Sequence, residues 1–578
     1  MAEIYVNGQR LSEFSLCLCS GEAAVQTAAD ELRHYLNLKT EKNAGTIFLG
    51  CARDIPALSE AALAEEAIAL RIEGSRILIA GGSGRAVLYA AYEFLERFCG
   101  WRFFTPTLET APSGAVRLTD GEYIYRPPFD YRMNLTPYAG EGTAFFQKRH
   151  LNARWGSEPL PERVGGSVVY ATNNAHTFRD LLPDEVYFDG HPEYFAMNEA
   201  GQRVRDEKNG TQPCLSNPDV FQIMLENLRK ALRENPKARF ASVSQNDGND
   251  FCHCPSCTRV NAEEETNGGT IYRFVNRMAS ALADEFPNVT FETLPYVYST
   301  KPPAHETLAE NVSVRLCLMD TCREHTLSDE SCPYNQKMRE HFQAWTEKCR
   351  NLYLWDYTAN FKNYPISLPN FKLLYQNMKR FRCFPVKGML YQGAHTTMPD
   401  IEFAALWAYL QSKLLWEPDM DYAEYLTCAK EFLQAYYGAG WTYLYDYLML
   451  ALQQPSSDYH YGPSATCEQV IPMLHRPDGA LDRTFLHDAN RLFDLAEEAA
   501  GERLEAVRRT RLHLVWYELC TTYRDVRERG TEAERAALRE KYRAFMQTVG
   551  QWPQFRISEG AAFDAAFDFD RDPNDFMQ

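Results

Sequence analysis

The chain has 578 residues, with 78 Asp and Glu against 60 Lys and Arg; the net charge of −18 argues against nucleic acid or an anionic membrane as partner. That length exceeds what one hydrophobic core usually supports, so two or three domains are expected. With no apolar run long enough for a membrane span, no basic and apolar leader pattern at the start, and 16 Cys without small-domain spacing, the reading is a cytoplasmic protein with reduced thiols.

Residues 1–124 read as a small α/β domain. Ala23 to Leu38 has helical periodicity, Thr46–Gly50 (TIFLG) is a short buried strand, and Ala69 to Ala80 is a hairpin turning at Glu73-Gly74. Gly81-Gly82-Ser83-Gly84 then opens a helix from Arg85 to Phe98. It lacks the Lys-Ser/Thr ending and the Gly spacing of a phosphate loop, so it reads as a tight strand-to-helix turn.

From residue 125 to 400 eight strand-like runs recur, most of them separated by helical segments: Asp130–Leu135, Leu151–Trp155, Val168–Thr172, Arg239–Ser244, Val289–Tyr296, Val312–Leu318, Asn351–Tyr357 and Lys387–Gln392. Repeated β-then-α units predict a (β/α)8 TIM barrel, whose site forms at the C-terminal strand ends. The stretch 173–215 reads mostly as a long loop. Residues 401–578 predict a helical C-terminal domain, with i, i+3, i+4 spacing in Ile401–Leu415, Tyr422–Tyr437, Trp441–Gln453, Leu481–Ala499, Gly501–Thr522 and Glu532–Val549. The end from Phe555 is acidic and reads as peripheral.

Polar groups past the strand ends are the ones to weigh. The fourth run ends at Asn246-Asp247, the fifth at Tyr296, the seventh at Trp355-Asp356-Tyr357 and the eighth at Gln392-Gly393. An amide beside a carboxyl suits hydrolysis of a β-linked N-acetylhexosamine, because the substrate's own acetamido oxygen can serve as nucleophile. Asn246 would orient the acetamide, and Asp247, its pKa raised by burial, would protonate the leaving oxygen. The competing reading of Asn-Asp-Gly is a plain turn. Glu264, within Glu263-Glu264-Glu265, is a reserve acid; most such runs are solvated surface.

His176, His191 and Asn217 lie in loops where substrate contacts gather, and Tyr296, Trp355, Asp356 and Gln392 complete the expected sugar contacts; capping, surface or core roles compete for each. The load of 33 Tyr, 33 Phe and 9 Trp also suits stacking on pyranose faces, with core packing as the alternative. Cys252, Cys254 and Cys257 resemble half of a structural zinc site. Cys317, Cys322 or Cys332 would have to close it by tertiary proximity; otherwise these are unligated thiols. No metal or other cofactor is expected for catalysis.

Several segments in combination resemble glycoside hydrolase family 163: Ser242–Gly248, Cys252–Cys257, Arg273–Asn276, Pro302-Pro303, Leu354–Tyr357, Lys387-Gly388 and Gln392-Gly393. The N-terminal stretches Gly84–Leu95 and Trp101–Pro106 are similar to the small domain that precedes the barrel in β-hexosaminidases and α-glucuronidases. The resemblance implies an endo-acting β-N-acetylglucosaminidase of substrate-assisted, retaining mechanism, with a glycan as partner and complex N-glycans as the substrate class. It departs at Glu264-Glu265-Thr266, where a Glu-Gly pair is expected. An α-glucuronidase-like enzyme and a non-catalytic carbohydrate-binding protein are the alternatives.

Overall fold

The structure, a computed structural model, describes residues 3–39, 43–55, 64–140, 142–366, 368, 370–452, 462 and 483–559. The N-terminal part is a five-stranded sheet flanked by two helices. In chain order its elements are β1 (Phe14–Leu18), α1 (Ala23–Leu36), β2 (Gly45–Cys51), β3 (Ile68–Glu73), β4 (Arg76–Gly81), α2 (Gly84–Glu93) and β5 (Gly121–Tyr125), with sheet order β5-β3-β4-β2-β1. Val25, Ala28, Ala29, Leu32 and Leu36 form the buried stripe of α1, as their spacing predicts. The glycine entry to α2 is a tight turn: Ser83 Oγ accepts the Ala86 N–H, and a Cβ on Gly81 would lie 2.4 Å from the Ala86 carbonyl carbon. Glu66 locks this unit to the first strand of the central part, accepting from Arg85 at 2.5 Å and from Arg132 at 2.7 Å.

The central part interleaves strands and helices, with two α-helices after β7 and, among the described residues, no α-helix between β8 and β9: β6 (Tyr131–Leu135), α3 (Pro218–Glu234), β7 (Phe240–Ser242), α4 (Pro255–Glu263), α5 (Gly269–Leu282), β8 (Thr290–Thr293), β9 (Val312–Cys317), α6 (Pro333–Lys348), β10 (Leu352–Tyr357), α7 (Asn370–Arg382) and β11 (Val386–Gln392). The six strands form one curled parallel sheet in the order β6-β11-β10-β9-β8-β7. Two of the eight expected strands are not regular ladders. Asn152 explains the first: its side chain takes the Arg132 N–H at 2.8 Å and donates to the Asp130 carbonyl at 2.9 Å, replacing backbone partners. Ala153 N–H still reaches the Arg132 carbonyl (3.3 Å), Val168 N–H the Asn152 carbonyl (2.7 Å), and Tyr170 bridges in parallel to Phe240. Backbone hydrogen bonds therefore pass from one edge strand, β6, through 152–153 and 168–171, to the other edge strand, β7.

Period-two alternation sorts the side chains. Tyr353, Trp355 and Tyr357 of β10 pack with Tyr131, Met133, Phe240 and Leu390 on the concave side, while Leu352 and Leu354 pack outward against helices. Within the concave side lies a fully buried ion pair. Arg315 Nη2 sits 2.7 Å from Glu292 Oε1, the Tyr170 hydroxyl donates to the same oxygen at 2.9 Å, and the guanidinium lies 4.8 Å from the Tyr131 ring centre.

The remainder is helical: α8 (Ala404–Trp416), α9 (Tyr422–Tyr437), α10 (Trp441–Leu452), α11 (Arg483–Ala499), α12 (Leu504–Arg529) and α13 (Glu532–Val549). The start expected for α11, Leu481, falls outside the described residues, as does 560–578 of the acidic end. Among the described residues no helix is long and apolar enough to cross a membrane.

Removing one partner of a buried ion pair leaves an uncompensated charge, at a cost of about 3–5 kcal/mol, whereas replacing both is often near neutral. Arg315→Met should therefore lower the unfolding free energy by about that amount, and Arg315→Met combined with Glu292→Leu should recover most of it, as read by denaturant unfolding.

Candidate functional site

A cavity of about 340 Å³ opens at the C-terminal ends of the parallel strands, on the small-molecule scale. Its walls are aromatic because the concave-facing positions of β10 and its neighbours are: Trp355 stacks on Tyr357 (centroids 5.6 Å) and meets Trp155 edge-on at 5.4 Å. Trp155 is 39% exposed, unusual for so large an apolar ring, and it forms an open wall.

Five residues expected at the site do line this cavity: His176, Asp247, Tyr296, Trp355 and Gln392. Asp247 lies beyond the end of β7 and is exposed; the Tyr296 hydroxyl donates to its Oδ1 at 3.3 Å. Burial, then the Asp247 charge, push the Tyr296 phenol well up, so it stays a donor through neutral pH. His176, held at φ 56°, points Nδ1 at the Gln245 carbonyl (3.0 Å), so Nδ1 carries a proton and donates it there. Trp355 Nε1 donates to Gln392 Oε1 at 3.0 Å, fixing the amide so that its Nε2 donates onward at 2.8 Å.

The acceptor of that last bond is Glu559, which sequence reasoning missed. The acidic end of the chain reads as peripheral in sequence, but residues 555–559 cover the mouth of the sheet. Tyr364 N–H donates to the Ile557 carbonyl (2.7 Å), Glu559 N–H to the Phe361 carbonyl (2.9 Å), and Phe555 and Ile557 are buried. The alternation of Phe555 and Ile557 with polar neighbours is the signal of an extended, paired segment. Glu559 thus brings a second carboxylate to the cavity that Asp247 lines, with His395 Nε2 3.7 Å away. Burial, then the charge of Asp247, push the Glu559 carboxyl up, and the Gln392 donor offsets only part of this.

Other expected residues are elsewhere, each for a clear reason. Asn246 does not face the cavity: its Oδ1 accepts the Arg179 N–H at 2.8 Å and its Nδ2 donates to the Thr211 carbonyl at 3.0 Å, so the side chain is spent on bracing two loops. Glu264 is buried under Arg273 (2.5 Å) and takes the His305 and Glu306 N–H groups at 2.9 Å each; burial would raise its carboxyl, but these donors hold it below the usual range. Asp356 alternates away from Trp355 and pairs with Arg323 at 2.9 Å. His191 stacks on Tyr194 at the surface beside Glu193, and Asn217 caps α3 by accepting the Asp219 N–H.

Asp247 also borders a second, larger hollow of about 1200 Å³, whose walls come from the 196–212 loop and from residues 247–253. Cys252, Cys254 and Cys257 lie behind that hollow. Their nearest further sulfur is Cys214, not Cys317, Cys322 or Cys332.

A curled parallel sheet with a carboxylate-bearing aromatic cavity at its C-terminal strand ends defines an α/β protein with an enzyme-like cleft. The chain belongs to the DUF4838 family, a domain of unknown function, whose pattern matches residues 103–448, more than half of its length. No curated protein matches the sequence. Among solved structures, it is similar to a GH89 enzyme from Clostridium perfringens in complex with GlcNAc-α-1,4-galactose (TM-score 0.50, 9% identity, 93% of this chain and 68% of that one). It also aligns with a GH20 exo-β-N-acetylglucosaminidase from Vibrio harveyi (TM-score 0.43, 11% identity, 73% and 74%) and with a GH138 enzyme targeting pectin rhamnogalacturonan II (TM-score 0.41, 10% identity, 96% and 75%).

Truncating Asn246 strands the buried Thr211 carbonyl, at about 1–3 kcal/mol, and the part-buried Arg179 N–H, at less. Asn246→Ala should be destabilised by roughly 2–4 kcal/mol in denaturant unfolding. A variant as stable as the parent would mean that these two bonds contribute nothing.

Proposed function

We propose that this protein is a glycoside hydrolase acting on β-linked N-acetylglucosamine in glycans, and that the curled sheet, with residues 152–153 and 168–171 as its two irregular positions, is a closed (β/α)8 barrel. The observation that carries the reading is the meeting of Asp247 and Glu559 at one aromatic-walled cavity on the strand ends. Paired carboxylates supply the two protonation states that glycosidic cleavage needs, and ring faces such as Trp155 and Trp355 suit the C–H faces of a pyranose. The fold likeness to the GH89 enzyme, seen with a GlcNAc glycoside, supports a sugar as occupant.

The two acids divide the work by environment. Glu559, raised by burial and by the neighbouring charge, holds the proton and gives it to the leaving oxygen. Asp247, under the Tyr296 hydroxyl, accepts the acetamide N–H, so that the acetamido oxygen attacks the anomeric carbon; Glu559 then takes a proton from the incoming water. This moves the proton donor away from Asp247, and Asn246 becomes a positioning residue. The position of Asp247 between the aromatic cavity and the larger hollow favours endo action, with sugar on both sides of the scissile bond. A uronic acid fits less well: among the described residues lining the cavity there is no Lys or Arg to meet its carboxylate. Membership of glycoside hydrolase family 163 is the family-level form of the same proposal.

Asp247→Asn and Glu559→Gln should each lower kcat/KM on a chitobiose-core glycan by about 10²–10⁴-fold with folding intact. An aryl glycoside with a good leaving group should rescue Glu559→Gln and not Asp247→Asn; the opposite pattern would exchange the roles, and full activity in both variants would end the proposal. Because Glu559 acts protonated and its pKa is raised, activity should fall on the alkaline side at a pH above the ordinary carboxyl range. That limb should disappear from the kcat/KM profile of Glu559→Gln.

A further inference from the structure

We propose that Cys214, Cys252, Cys254 and Cys257 bind one zinc ion in a tetrahedral structural site that clasps the two loops beside Asp247. All four are buried and none is in a disulfide. Their four sulfurs lie within 4.8 Å of one another, with Cys214 Sγ 3.7 Å from Cys254 Sγ and 3.9 Å from Cys257 Sγ. Zn–S bonds of about 2.3 Å in a tetrahedron require sulfur–sulfur edges of about 3.8 Å. The separations are therefore those of a ligand set, and they lie far beyond the S–S bond of about 2.05 Å.

The surroundings suit thiolates. The Met197 N–H points at Cys252 Sγ (3.4 Å) and the Cys257 N–H at Cys254 Sγ (3.5 Å), while Cys254 caps the N-terminus of α4, whose dipole favours negative charge. On binding, the thiol protons leave to solvent and zinc takes four thiolate ligands, giving a closed shell without an open position for substrate or water. Sulfur-only tetrahedral sites select zinc or iron over harder metals. Zinc is the assignment here, and iron is the alternative that elemental analysis separates.

The clasp has mechanical sense. Cys214 comes just after Thr211 and Gln212, which bond the side chain and the backbone of Asn246, and Cys252 lies past Asp247 on the same loop. The His253 N–H also bonds the Met197 carbonyl at 2.7 Å, so one ion would pin both walls of the larger hollow. A second group, Cys322, His325 and Cys332, offers three ligands among the described residues and serves as the internal control.

The test is elemental analysis of the full-length protein, purified under reducing conditions without added metal. About one zinc per chain is expected, falling to below a tenth in Cys214→Ser and unchanged in Cys322→Ser. The zinc-stripped parent, refilled with cobalt(II), should show thiolate-to-cobalt charge-transfer absorption and tetrahedral ligand-field bands, a readout that holds even where Cys214→Ser fails to fold. Iron in place of zinc, a disulfide among these cysteines in non-reducing mass spectrometry, zinc that tracks Cys322, or cobalt spectra without thiolate bands would each overturn the proposal.

Discussion

The concave side of the parallel sheet must hold a full charge pair in a solvent-shielded interior, and much of the rest is arranged around that demand. Arg315 and Glu292 come from adjacent strands, so the register of β8 and β9 sets their separation. Tyr170 supplies the extra donor from a stretch that is barely a strand at all. Tyr131 and Phe240 then fill the space around them, edge to face with each other at 6.1 Å. An apolar replacement could pack as well, but it would not fix which residues face inward. A one-residue slip would carry Arg315 to the helix side and reverse every position on the strand.

The same alternation decides the site. Trp355 and Tyr357 wall the cavity because Tyr353, two and four residues back, packs inward with them; Asp356, between them, is carried to the other side and to Arg323. Past the end of β7 a similar division separates Asn246, buried and braced, from Asp247, free to face the mouth. Neighbouring residues at a strand end cannot easily share one task when they look in different directions. The second carboxylate therefore comes from elsewhere in the chain.

Legibility in the sequence tracks this geometry. Strand runs such as Val312–Cys317 and Leu352–Tyr357 are legible because both faces are buried and the apolar run is unbroken. Strand-end residues Asp247, Tyr296, Trp355 and Gln392 are legible because the architecture sends strand ends to one mouth. Residues 152–153 and 168–171 are recognisable as strand-like, yet the Asn152 side chain's capture of ladder partners depends on a neighbour that periodicity does not show. Glu559 is invisible to a motif reading, since only the packing of Phe555 and Ile557 brings it home. His191, Asn217 and Glu264 have the right chemistry in the wrong place, taken up by stacking, capping and a loop tie. Cys214 lies forty residues before Cys254, outside the spacing by which cysteine ligands are recognised.

The strap formed by residues 555–559 has a consequence for synthesis. The parallel sheet, its aromatic floor and the loop bearing Asp247 can all be complete on the ribosome while the strap is still being translated. The nascent protein would then present a cleft with one acid and an uncovered rim. Its second carboxylate would arrive only when the late segment threads back across the opening, after the helical region has been made.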